Sequence, residues 1–209
     1  MRKAVQSAWV DFNRDLEGVV FHMYQDVRGL VTTGMGNLID PLGEYVHLPW
    51  QMPDGSLASG DEVRAQWRKV KTAKDIAPLG GNHPKQRSLT TIRLGQSAVD
   101  VLVRRKLYQD REQLTKRVPG YVEWPASAQL ALHSMAWALG SAFLDKGWPK
   151  FKRAALAGDF VAMAADCEMG PKEGTIIERN RRNRLLFEHA ATATGLDEIP
   201  DWMQSGDAA

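Results

Sequence analysis

Apolar residues recur every three to four positions over residues 4–17, where Val5, Ala8, Trp9, Phe12 and Leu16 share one side of a predicted helix. Gly18 stands where that helix would stop. The pattern then changes to the β-leaning segments "VVFHMY" and "GLVTTG", joined by "QDVR", which predict a hairpin ending in a tight Gly34-Met35-Gly36 turn. Residues 40–60, "DPLGEYVHLPWQMPDGSLASG", are rich in proline and glycine and read as loop. A helix at about 61–74 precedes a second loop, "APLGGNHPKQRS". Two long loops in one region suggest a groove wall or a lid.

Beyond residue 94 the pattern is helical, with segments at about 95–116, 125–140, 148–157, 159–168 and 176–193. Breaks fall at Pro119-Gly120, Pro125, Gly147, Gly158 and Gly170-Pro171. The predicted fold class is therefore α+β, mostly α, in one domain. A small hairpin-and-loop lobe spans about 18–94, a helical lobe about 95–195, and a tail 196–209. A cleft between such lobes is a common place for a ligand.

The 209 residues, 44% hydrophobic and 25% charged, suit a globular protein with a sizeable core. No apolar stretch approaches the roughly 18 to 20 residues of a membrane span, and internal repeats and low-complexity tracts are absent. Asp11 and Arg14 arrive too early for the apolar region of a secretory signal, so accumulation in a cytoplasm is expected. Cys167 is alone, which excludes an internal disulfide framework. The net charge of +2 does not by itself imply nucleic acid, but the basic residues cluster. Residues 104–117 carry six basic and two acidic side chains, and residues 172–184 carry five and two. These are either solvated helix faces or surfaces that attract an anionic polymer such as a cell wall.

The stretch "LEGVVFHMYQDVRGLVTTGMGN" raises a chemical question, because Glu17 at a helix end and Asp26 in a hairpin turn are able to face one cleft. Glycosidic cleavage uses such a pair: one carboxylic acid donates to the leaving oxygen while a carboxylate positions water on the far side of the sugar. Glu17, beside Leu16 and Val19, suits a shielded acid, and Asp26, beside Gln25 and Arg28, suits the ionised partner. Spacing alone allows the plainer reading of a helix-end carboxylate and a turn aspartate.

Further positions narrow the choice. Glu17-Gly18, Tyr24, Asp26, Gly29, Thr32 and Gly34-Met35-Gly36 resemble, without a gap, the motif of the T-even phage-type lysozymes, the muramidase endolysins. The resemblance implies a lysozyme-like two-lobe fold, Glu17 as general acid, and Asp26 with Thr32 as the groups that hold the attacking water. A second, looser likeness lies in "LALHSMAWALGSAF", similar to the family's central helix, although Trp137-Ala138 stands where the family usually has an aromatic or apolar residue followed by Asn or Gln. A third is "IIERNRRNRLLF", similar to the family's Arg-rich helix, which places Arg179 against the catalytic glutamate and Arg182 one turn on. Leu38, Trp137 and Arg179 are the expected substrate contacts, with Trp137 either stacking on a sugar or packing in the core. The likeness covers about 5–39 well and 95–193 loosely, and nothing carries over for 40–94.

Five scattered histidines, His22, His47, His83, His133 and His189, form no metal motif, and neither a Gly-x-Ser-x-Gly nor a phosphate loop occurs. No metal and no cofactor is expected. The expected activity is hydrolysis of the β-1,4 bond between N-acetylmuramic acid and N-acetylglucosamine in peptidoglycan by a monomer that binds no nucleic acid. As the resemblance implies, the enzyme waits in the host cytoplasm and reaches the periplasm and wall at lysis through a holin-type membrane protein. The rivals are a lytic transglycosylase, for which one glutamate suffices, and an inactive peptidoglycan-binding phage protein.

Overall fold

The computed structural model describes residues 1–170 and 174–203. Pro171, Lys172 and Glu173, which hold part of an expected break and of the second basic segment, and residues 204–209 of the expected tail lie outside the described residues. The protein is mostly helical with one small three-stranded antiparallel sheet, so the α+β, mostly α class holds. The chain divides into two compact units, residues 17–103 and residues 1–16 with 104–209.

In the first of these units, β1 (Val20–Gln25) pairs antiparallel with β2 (Val31–Gly34), with Tyr24 opposite Thr32 and Gln25 opposite Val31. The Met35-Gly36 turn then leads into β3 (Asn37–Leu38), a strand that sequence did not predict. Two residues are too few to show a period of two. Asn37 secures the turn by accepting from the Met35 N–H through Oδ1 at 3.2 Å. The helix expected at 61–74 is α2 (Gly60–Thr72), opened by a capping box. The Ser59 hydroxyl accepts from the Glu62 N–H while the Glu62 carboxylate accepts from the Ser59 N–H at 2.7 Å.

The two expected loops are corrected by the structure. Residues 43–47 form a 3-10 helix, Trp50 is fully buried and donates its indole N–H to the Tyr45 carbonyl, and Gln51 bridges to both Leu57 and Arg93. Residues 77–88 contain a 3-10 turn, Ala77–Leu79, and the short helix α3 (Pro84–Arg87). The reason α3 exists is Gln86, which is fully buried. Its amide accepts from the Gln25 N–H at 3.0 Å and donates to the Gln25 carbonyl at 2.8 Å and the Ile76 carbonyl at 3.0 Å. The Gln25 side chain in turn donates to the carbonyls of Val70, Lys71 and Ala73 at the end of α2. Segment 77–88 is thus stitched to the sheet rather than hinged as a free lid. The helix α4 (Gln96–Arg117) closes this part of the chain.

The helical unit begins with α1 (Lys3–Glu17), whose Val5, Trp9, Phe12 and Leu16 are buried on one side as the spacing required. It stops at Gly18, whose φ of +67° is the left-handed conformation that glycine adopts without strain. Its centre is α5 (Ala126–Leu139), buried all round from Ala126 to Trp137. The helices α6 (Phe143–Lys146), α7 (Pro149–Ala157), α8 (Phe160–Asp166) and α9 (Thr175–Thr192) complete the unit. Phe151 and Phe187 join α7 to α9 with ring centroids 5.7 Å apart.

Gln86→Ala leaves the buried Gln25 N–H and two carbonyls without this partner. It is expected to cost about 2 to 4 kcal/mol, read as a lower urea midpoint with an unchanged slope. A cost under about 1 kcal/mol would show that the amide pairing does not hold the segment.

Candidate functional site

Glu17 is the last residue of α1, and its carboxylate lies beside the β2–β3 turn: Oε2 is 3.9 Å from where a Cβ on Gly36 would stand. Glu17 is exposed. The expectation of a shielded acid between Leu16 and Val19 is therefore corrected: the helix ends at Glu17 and turns it out of the core that takes Leu16.

Asp26 is the more enclosed carboxylate, its side chain 24% exposed. The turn after β1 is built on it: its Oδ1 accepts from the Arg28 and Leu30 N–H groups, each at 2.9 Å, and its carbonyl accepts from the Gly29 N–H at 2.8 Å. Its other oxygen, Oδ2, lies 3.6 Å from Arg28 Nε. Asp26 is aimed by this turn, with one oxygen committed to backbone and the other facing a guanidinium.

Tyr24 links the two acids. Its phenol is pushed up to about 12, first by burial and then by the charges of Glu17 and Asp26. Both carboxylates thus act on one hydroxyl group. Thr32 lies directly across the ladder from Tyr24, and Leu38 across the next ladder from Thr32. Directly opposed residues in antiparallel strands project to the same face, so Tyr24, Thr32 and Leu38 form a row over the sheet. Thr32 is buried and donates its hydroxyl to the Leu30 carbonyl at 3.2 Å, whereas Leu38 is 44% exposed. Of the residues singled out by sequence, Glu17, Asp26, Thr32 and Leu38 therefore belong to one unit, with Thr32 and Leu38 in this row. Tyr24 was noted there only as part of a motif.

The far side of Tyr24 is packed by backbone. A Cβ on Gly81 would come 2.9 Å from the Tyr24 ring, and the Gly81 carbonyl is 2.9 Å from His22 Nε2. Segment 77–88 thus braces the tyrosine whose phenol both carboxylates raise.

Trp137 and Arg179 belong to the helical unit. Trp137 is 9% exposed, meets the edge of Trp9 at 5.6 Å between centroids, and has the Lys106 ammonium 4.8 Å from its ring centre. That burial favours the core role over sugar stacking. Arg179 is 1% exposed and donates to the Ser134 hydroxyl at 3.1 Å and the Ser134 carbonyl at 3.3 Å, which corrects its reading as a direct substrate contact. Arg182 pairs with Glu178 at 2.7 Å and Asp15 at 3.3 Å and lies over Phe12. Glu178 is held down to about 2, above all by its hydrogen bond from Arg181. The first basic segment is also partly neutralised, by Lys106–Asp110 at 2.6 Å and Arg117–Asp145 at 2.7 Å.

Among the described residues no cluster of His, Cys, Asp and Glu has the makings of a metal site, and no helix is long and apolar enough to cross a membrane. The chain is thus a mostly helical α+β protein whose small sheet carries a tyrosine raised in part by the charges of Glu17 and Asp26. No protein-family model matches the chain, and none of the curated proteins matches it either.

The His22–Gly81 contact carries a pH signature. Burial, reinforced by Arg93, lowers His22 to about 4 from its ordinary 6.5. The folded value lies below the unfolded one, so the stability this histidine contributes is present above pH 6.5 and is lost as pH falls towards 4. Urea titrations should show stability falling between those limits in the wild type and falling less in His22→Gln. Equal slopes in the two proteins would remove His22 as the cause. His133, lowered to about 3 by burial, adds a fall over the same range and below it in both proteins, so the difference between them isolates His22.

Proposed function

We propose that this chain is a peptidoglycan-degrading glycoside hydrolase, an endolysin of the T-even phage-lysozyme type with the corresponding two-lobe fold. It cleaves the β-1,4 bond between N-acetylmuramic acid and N-acetylglucosamine. The observation that carries the reading is that Glu17, at the end of α1 beside the β2–β3 turn, and Asp26, fixed in the turn after β1, lie in one compact unit with Thr32 and Leu38 in register with Tyr24. Glu17, Asp26 and Thr32 are the residues to which the motif resemblance gives the chemistry.

In the proposed reaction Glu17 gives its proton to the glycosidic oxygen as the bond to the anomeric carbon breaks. Asp26 accepts a proton from a water that attacks that carbon from the opposite face, with Thr32 aligning the water, so configuration inverts. Because Glu17 is exposed, the sugar itself is what displaces water from this acid on binding. Lysis through a holin-type partner follows from the same reading.

A lytic transglycosylase is the second reading. The observation that favours it is the capture of Asp26 Oδ1 by two backbone N–H groups, which gives Asp26 a structural reason to exist.

Two conservative variants separate these. Asn at position 26 keeps an oxygen for the turn, so Asp26→Asn should fold normally. Glu17→Gln should lower the rate of wall clearing by about 10² to 10⁴-fold, and Asp26→Asn by about 10²-fold or more, both with unchanged circular dichroism. Asp26→Asn within a few-fold of wild type would favour the transglycosylase, and an active Glu17→Gln would end both readings.

A further inference from the structure

Beside β1 lies a cavity of about 510 Å³ that the proposed chemistry does not use. Its apolar lining is Val19, Phe21 and Leu94, and its polar lining includes His22, Arg87 and Arg93. No acidic residue lines it. The adjoining acid, Asp100, accepts from the rim residue Gln96 at 2.6 Å.

Arg93 is fixed in place before any ligand arrives. Its Nη1 donates to the Thr90 carbonyl at 2.6 Å and the Ile92 carbonyl at 2.8 Å, and Nη2 donates to the Arg87 carbonyl at 3.1 Å. Its backbone exchanges hydrogen bonds of 2.9 and 2.8 Å with Gln51. A guanidinium carries five N–H donors, so Nε–H and one Nη2–H remain uncommitted, on neighbouring nitrogens, among the described residues. Two such donors suit a carboxylate held in a fork. Arg87 is exposed and its guanidinium makes no hydrogen bond to any described residue, which leaves it able to close on the same anion. The cavity wall is equally firm, because the Leu94 N–H donates to the Phe21 carbonyl at 2.8 Å.

We propose that this cavity binds a short acidic peptide through its carboxylate. The carboxylate sits between Arg93 and Arg87, the aliphatic part of the peptide lies on Val19, Phe21 and Leu94, and Asn82 and Gln96 meet its amides. The apolar floor and the rim amides argue for a peptide over a bare inorganic anion, which would use neither. The assignment rests on the wall-hydrolase reading, under which the occupant is the acidic stem peptide carried by the glycan strand. The site then favours strands that bear peptides over naked ones.

The test uses the full chain and N-acetyl-L-alanyl-γ-D-glutamate, followed by the NMR shifts of the arginine Nε–H groups and the Gly95 amide. Saturable shifts in the millimolar range are expected, with inorganic phosphate at the same concentration far weaker. Arg87→Glu, at an exposed side chain, is expected to weaken the dipeptide at least about fivefold with unchanged urea stability. No saturable shift, an equal response to phosphate, or an Arg87→Glu variant that binds as well as the wild type would each overturn the proposal. Binding is read without turnover, so dipeptide binding by a chain that cleaves no wall glycan would refute the hydrolase and leave the pocket standing.

Discussion

Two buried glutamines hold the candidate site in shape. Gln86 satisfies the Gln25 backbone in both directions, as another strand would, and the Gln25 side chain gathers the last carbonyls of α2. Buried backbone groups must find partners, and here a helix of four residues provides them where the sheet itself ends. Gln25 stands between Tyr24 and Asp26, so fixing it fixes the residue on either side. The same segment brings Gly81 onto the Tyr24 ring and its carbonyl to His22. Asp26 is therefore positioned by amide and backbone hydrogen bonds more than by its ion pair, since its contact with Arg28 is 3.6 Å long and Arg28 is largely exposed.

Where local periodicity governs structure, the sequence was readable. Helix α1 showed its stripe of Val5, Trp9, Phe12 and Leu16, and β1 and β2 showed β-branched and aromatic residues about a turn. Where long-range partners decide, it was not. Strand β3 exists because Thr32 and Thr33 offer Leu38 and Asn37 a ladder, and Trp50 is buried although prolines and glycines surround it in sequence. Side-chain depth was the other blind spot. Glu17 and Leu16 are neighbours in sequence yet face solvent and core respectively, and Arg179 lies buried within a segment that reads as a charged surface. The cavity beside β1 draws on residues 19–22, 82–87 and 93–96, so no single stretch announces it.

The helical unit tempers the electrostatic picture. Counting charges along 104–117 and 172–184 suggests two positive faces, but Lys106, Arg117, Arg181 and Arg182 each meet a carboxylate within the unit. These pairs cancel much of the local field. Beside β1, by contrast, Arg87 and Arg93 line a cavity that no acid among the described residues lines.

In the proposed function Glu17 and Asp26 are the acid and the water-positioning group of a muramidase. Mass spectrometry of the sugars released from purified peptidoglycan tests it most directly. The account predicts soluble fragments ending in reducing N-acetylmuramic acid. Fragments ending in anhydromuramic acid, or no soluble sugar at all, would contradict it.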